Sequence, residues 1–171
     1  MPITPSDLCD IEEIKQLKAS YFRYLDTKQW EKLRGLFTDD AVFEGTSKKF
    51  DGPDDFVATN RVRLGPAVTI HQGHMPEIRI LTFSRARGIW AMFDWVEYPE
   101  TFADGPMRGA RGFTGLGHYQ EEYRKTEAGW RIARLRLTRL KLDPLLGAGV
   151  LHDLPAGRLW TRQNDWLGGE E

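Results

Sequence analysis

Apolar residues in the first third of the chain recur every three or four positions, and in the remainder they alternate with polar ones. Ile11, Ile14, Leu17, Tyr21 and Leu25, with Lys18 in the same stripe, predict an amphipathic helix over about residues 10–26 with Asp10 as N-cap. Trp30, Leu33, Leu36 and Phe37 mark the buried side of a second helix, which Thr38-Asp39-Asp40 ends before a short strand at 41–44. Gly52-Pro53-Asp54-Asp55 reads as a turn and helix start, and a third helix runs through Phe56, Val57, Asn60 and Arg61 to a stop at Gly65-Pro66. Strands are then expected at 68–83 with a break at Pro76, at 89–98 after a turn near 85–88, at 112–124 and at 130–141. Helices first and strands afterwards predict an α+β domain, with three helices packed on one face of a strongly curved, mostly antiparallel sheet. Glycines at 112, 115 and 117 fit that curvature. A single domain is expected over 1–171, with its core at about 8–142. In the irregular tail of 143–171, Gly147-Ala148-Gly149, Trp160 and Trp166 suggest a lid or a subunit contact.

Three polar side chains interrupt this pattern from the inside. Asp94 alternates with Trp90, Met92 and Val96, while Ile89, Ala91, Phe93 and Trp95 occupy the other face, so neither side of the strand reads as water-facing. Arg139 shares a face with Ala133, Leu135 and Leu137, whereas Arg134 and Arg136 fall with Thr138 on the other, and Ile132 and Thr138 are expected on the outer face, covered by other subunits. His71 shares a face with Thr69 and Gly73, and a glycine beside an inward histidine leaves room for a ligand. Buried groups of this kind are costly unless they pair and work together, so a polar pocket in an apolar enclosure is the expectation.

Each residue also has a plainer reading. Asp26-Thr27-Lys28-Gln29 could form a capping box for the second helix, Tyr21 could be a core tyrosine, and His71 a core histidine. Asp94 and Arg139 could be a structural ion pair, although that leaves His71 unexplained. His71 and His74 have a metal-like HxxH spacing but point to opposite faces of a strand, and no further ligand cluster follows. His118 and His152 have no patterned partners. Gly112-Phe113-Thr114-Gly115-Leu116-Gly117 lies inside a strand pattern and is no phosphate loop.

Composition narrows the partners. The chain has 171 residues, of which 40% are hydrophobic, enough for a real core in one domain. A formal net charge of -1 without single-sign runs argues against nucleic-acid and membrane partners, and the arginines at 131, 134, 136 and 139 are divided between strand faces. One cysteine, Cys9, excludes an intrachain disulfide and fits a reducing compartment. Residues 1–7 lack a basic region followed by an apolar one, and no later run has the length of a membrane span. The expected location is therefore the cytoplasm.

The segments 11–18, 21–26 with Trp30 and Leu33, His71-Gln72-Gly73-His74-Met75-Pro76-Glu77-Ile78, Trp90 with Asp94, and Gly129-Trp130 through Arg139 resemble the SnoaL-like branch of the NTF2-like superfamily. Within that branch they resemble the bile-acid 7α-dehydratases. The resemblance implies a cone-shaped α+β fold with an apolar cavity, frequent homo-oligomers including trimers, and a functional set falling on Tyr21, Asp26, His71, Asp94 and Arg139. The loop at 99–110 and the tail, segments expected to shape the cavity mouth, depart from that pattern, so the resemblance does not carry the bile-acid substrate itself.

The resulting expectation is a cofactor-independent dehydratase, a carbon-oxygen lyase, acting on a hydrophobic polycyclic or steroid-like hydroxy-ketone. His71 is the expected base, oriented by Asp26, with Tyr21 and Arg139 donating to substrate oxygen and Asp94 as second acid or histidine partner. An isomerase, dehydrohalogenase or polyketide cyclase would use the same groups. A non-catalytic ligand-binding domain would use none of them for turnover.

Overall fold

The computed structural model describes residues 3–45 and 48–147. Its elements are α1 (Pro5–Asp26), α2 (Trp30–Arg34), β1 (Phe37–Glu44), α3 (Gly52–Leu64), β2 (Val68–Thr82), β3 (Arg85–Glu97), β4 (Ala110–Thr126) and β5 (Gly129–Leu146). The α+β architecture is the expected one, with helices against a five-stranded sheet in the order β1-β5-β4-β3-β2. Every neighbouring pair is antiparallel except β1 with β5.

Helix α1 begins earlier than its apolar stripe indicates. Pro5 suits the first helical position, and Thr4 caps it by accepting from the Asp7 N–H while Asp7 accepts from the Thr4 N–H. Asp10 is therefore not the cap. Its carboxylate instead accepts from Lys125 Nζ at 2.6 Å and Trp130 Nε1 at 3.0 Å, tying the helix to the far end of the β4–β5 hairpin.

The second helix is a single turn, because Leu36 and Phe37 have a stronger use elsewhere. Phe37 pairs with Ile132 and opens β1, and its ring meets Tyr21, Phe43 and Phe56 in the core. Thr38, Asp39 and Asp40 lie inside that strand at a register irregularity, with Asp39 on Arg34 and Asp40 on Arg124. Pro76 likewise does not break β2. The ladder skips between His74 and Glu77, and such a bulge is where a strand tolerates proline. The first part of the expected irregular tail is strand, since β5 continues to Leu146, with Pro144 opposite Phe113. Trp160, Trp166 and His152 lie outside the described residues.

Strict alternation also fails twice in β5, once at Leu140, which the ladder skips between Arg139 and Lys141, and once further back. A shift opposite Glu122 and Tyr123 lets Ile132 and Leu135, an odd number of residues apart, both face the core. Ile132 is thus buried, and Ala133 is the residue absorbed by the bulge.

The glycines in β4 have separate reasons. A Cβ at Gly112 would lie 1.9 Å from the Val96 carbonyl oxygen, and one at Gly117 would lie 1.9 Å from that of Thr138, so both permit close approach of neighbouring backbones in the curved sheet. Gly115 makes room for side chains instead, as described below.

Candidate active site

Four strands present one polar row on the face covered by α1. His71 of β2 stands opposite Asp94 of β3, Asp94 opposite Gly115 of β4, and Arg139 of β5 opposite Gly117, two residues along β4. Alternation had placed the three polar groups inward on separate strands, and register now makes them neighbours.

The C-terminal turn of α1 brings Asp26 onto this row. Asp26 Oδ1 lies 2.6 Å from His71 Nδ1 and accepts from Thr69 Oγ1 at 2.9 Å, while Oδ2 accepts the backbone N–H of His71 at 2.7 Å. The carboxylate thus holds both the backbone and the ring of the histidine, leaving Nε2 as the ring nitrogen turned away from Asp26. It makes no capping box for α2, whose N-cap is Gln29 without a side-chain bond.

Arg139 meets Asp94 through two parallel bonds, Nη1 to Oδ1 at 2.7 Å and Nη2 to Oδ2 at 2.6 Å. Asp94 is almost fully buried, whereas Arg139 keeps part of its surface open. This places Asp94 on Arg139 and leaves the role of histidine partner to Asp26. A Cβ at Gly115 would lie 1.9 Å from Arg139 Nη1 and 2.4 Å from Asp94 Oδ1, so only glycine leaves space for the pair. Gly73, beside His71, gives its space to the rings of Phe22 and Trp90 rather than to a ligand.

Tyr21 lies deeper, packed edge-on against Phe22, Phe37 and Tyr119. Burial, with the neighbouring Tyr119 and Glu121 adding to it, pushes the Tyr21 phenol well above its usual range. Burial also raises Tyr119, which feels both Asp94 and Arg139 and so links Tyr21 to the polar row.

Beneath these rings is a group the sequence reading did not assign. Lys18, wholly buried, bonds Glu121 at 2.5 Å and lies 3.7 Å from the Tyr119 ring centre and 4.1 Å from that of Tyr21. Tyr123 donates to the second Glu121 oxygen, and Trp90 Nε1 donates to Tyr123 at 2.8 Å. Burial pulls the Lys18 ammonium below its ordinary range, opposed by Glu121. Tyr119, Glu121 and Tyr123 share the inward face with Gly115 and Gly117, so strict alternation along β4 carried the signal for all three.

Among the described residues no group of three or more histidine, cysteine, aspartate or glutamate side chains could hold a metal ion. No helix there is long and apolar enough to cross a membrane.

A family model for the SnoaL-like domain matches residues 6–136, which include four of the five candidate residues and end three short of Arg139. The chain belongs to the SnoaL-like domain family. A Gibberella zeae protein named as probable cyclase FGR4 is 26% identical, the match covering 74% of this chain and 89% of that one. Among solved structures, hexachlorocyclohexane dehydrochlorinase LinA-type3 of Novosphingobium barchaimii LL02 superposes with a TM-score of 0.71 at 19% identity, over 85% of this chain and 97% of that one. A candidate scytalone dehydratase of Novosphingobium aromaticivorans gives a TM-score of 0.70 at 19% identity, over 91% and 98%. These structural likenesses establish the NTF2-like fold of this SnoaL-like chain. Members of the family are often enzymes; the relative named above is a probable cyclase, and the structures of like fold carry the names of a dehydrochlorinase and a candidate dehydratase.

Proposed function

We propose that this SnoaL-like protein is a cofactor-independent carbon-oxygen lyase that dehydrates a hydrophobic, steroid-like or polycyclic hydroxy-ketone. The observation that carries the reading is the anchoring of His71 by Asp26 through ring and backbone together, in register with an arginine held by a buried aspartate. His71 Nε2 takes the proton from the carbon beside the carbonyl. Asp26 orients the ring and compensates the positive charge it acquires. Arg139, fixed by Asp94, donates to the enolate-like oxygen, with the Tyr21–Tyr119 hydroxyl pair as a further donor. The enolate then expels hydroxide, which takes the proton back from His71 and leaves as water, so proton and electron counts balance without a redox partner.

The kinship with a dehydrochlorinase supports one competing reading, in which the same base removes a proton and chloride leaves. A mass-resolved screen of 3-oxo steroids, hydroxylated polyketide-like ketones and halogenated rings separates the possibilities. Loss of 18 mass units is the expected result, loss of hydrogen halide supports the competing reading, and unchanged mass with a new chromophore indicates isomerisation or cyclisation.

The assembly in this proposal is a homotrimer. Ile70 and Leu116 are exposed on the outer sheet face beside the half-buried Phe93 and Trp95, an apolar surface suited to a second copy. Sedimentation at micromolar concentration tests it, and a 19.7 kDa species alone would remove it.

A further inference from the structure

We infer that Lys28 and Thr69 are positioning residues for His71, Lys28 orienting the Thr69 hydroxyl so that this hydroxyl and Asp26 together hold the imidazole with its proton on Nδ1. The inference rests on the reading of His71 as the base, and its test does not need turnover.

Lys28 follows α1 with a φ of 60°, the one non-glycine residue in the left-handed region among the described residues. Backbone bonds on either side fix that turn, from the Lys28 N–H to the Leu25 carbonyl and from the Gln29 N–H to the Tyr24 carbonyl. From there the half-buried side chain reaches β2, and Nζ donates to Thr69 Oγ1 at 2.7 Å. The charged group facing it is Asp26, on the far side of that hydroxyl, and the Trp30 ring lies 6.0 Å away.

Donor counting sets the direction of every bond. An ammonium only donates, so Thr69 Oγ1 accepts from Lys28 and turns its single proton to Asp26 Oδ1 at 2.9 Å. Asp26 then acts only as an acceptor, from Thr69, from the His71 backbone and from His71 Nδ1–H. The ring proton is thereby assigned to Nδ1 and the lone pair to Nε2, the tautomer a base on the substrate side requires. His71 also has Asp94 as its register neighbour, already engaged by Arg139, so the Lys28–Thr69–Asp26 chain is the part that selects the tautomer.

The test is long-range ¹H–¹⁵N NMR of the imidazoles in the full chain, from pH 6 to 10, with His71→Gln for assignment. The expected wild-type spectrum has the Nδ1-protonated tautomer, its low-field proton moving with a midpoint of about 8. That is where burial places the Lys28 ammonium, with Asp26 partly opposing the shift. Lys28→Met should abolish this step and admit the other tautomer, Thr69→Val should do the same, and Lys28→Arg should keep the tautomer and carry the step beyond the range. With a substrate in hand, Lys28→Met should lower kcat by about tenfold with little change in KM. A His71 tautomer and pH response unaltered in folded Lys28→Met would overturn the positioning role while leaving the base in place. Protonation on Nε2 in the wild type would instead remove the base reading itself.

Discussion

Gly115→Ala puts a single methyl group into the tightest place in the polar row. The new Cβ would lie 1.9 Å from Arg139 Nη1 and 2.4 Å from Asp94 Oδ1, well inside ordinary contact distance, and both neighbours are fixed by bonds of 2.6 and 2.7 Å. If the pair shifts as a unit, the cost is that of overpacking, about 1–3 kcal/mol. If Arg139 swings toward its open side, Asp94 remains buried without its partner, and breaking such a pair costs about 3–5 kcal/mol. The expected loss is therefore about 2–4 kcal/mol, since the backbone at this position is not in the left-handed region and the clash falls on this one pair. Urea unfolding followed by tryptophan fluorescence reads it, with Gly35→Ala as control, because there the nearest atom to an added Cβ is 3.5 Å away. Turnover of any substrate found for the wild type should fall at least 100-fold, because Arg139 can no longer hold its place beside His71. A Gly115→Ala protein within about 0.5 kcal/mol of wild type and fully active would refute the packing argument and the role of Arg139 together.

His71→Ala should abolish turnover and Asp26→Asn should lower it by about 10²- to 10⁴-fold, while EDTA should leave wild-type activity intact; activity retained by His71→Ala would identify another base. Lys18→Met strands a buried Glu121 and should cost about 3–5 kcal/mol in urea unfolding, whereas Lys18→Met with Glu121→Gln should recover part of that loss, and additive single and double variants would show that the pair is not coupled. Lys28 titrates at about 8 in the fold against an ordinary 10.5, so its charge opposes folding fully below pH 8 and the penalty fades as the pH rises to 10.5. Lys28→Met should accordingly gain most in stability relative to wild type below pH 8, and a gain that grows between pH 8 and 10.5 would contradict the assigned burial.

Periodicity revealed the inward direction of His71 and Asp94 because β2 and β3 alternate cleanly where they carry them, and that of Arg139 because the bulge at Leu140 falls just after it. It failed where a bulge changes the count, at Ile132 and Ala133 in β5 and around Pro76 in β2, since a bulge depends on the partner strand and leaves little local trace. The helix ends were misjudged for the opposite reason. Pro5 and Phe37 are governed by a cap and by a distant strand, Thr4 and Ile132, which an apolar stripe does not register. Which aspartate partners His71 was not legible either, because Asp26 and Asp94 are 68 positions apart, and helix packing brings the first beside His71 while strand register brings the second. Lys28 escaped notice because a lysine after a helix ordinarily points to water, and only the left-handed turn directs this one inward.

The buried Lys18–Glu121 bond sets the phase of α1. Packing of rings and aliphatic groups is non-directional and would tolerate a helix turned by a fraction of a residue, but a charge-assisted bond at 2.5 Å among three aromatic rings does not. Lys18 and Asp26 are eight residues apart, about 12 Å along the axis, so a bolt in the middle of the helix aims the carboxylate at its C-terminal end. Aiming and chemistry are thus separate tasks. Side chains near the open edge of Arg139 can be exchanged for a different substrate or leaving group while the bolt keeps Asp26 on target, which gives evolution a scaffold whose precision survives changes in what it binds.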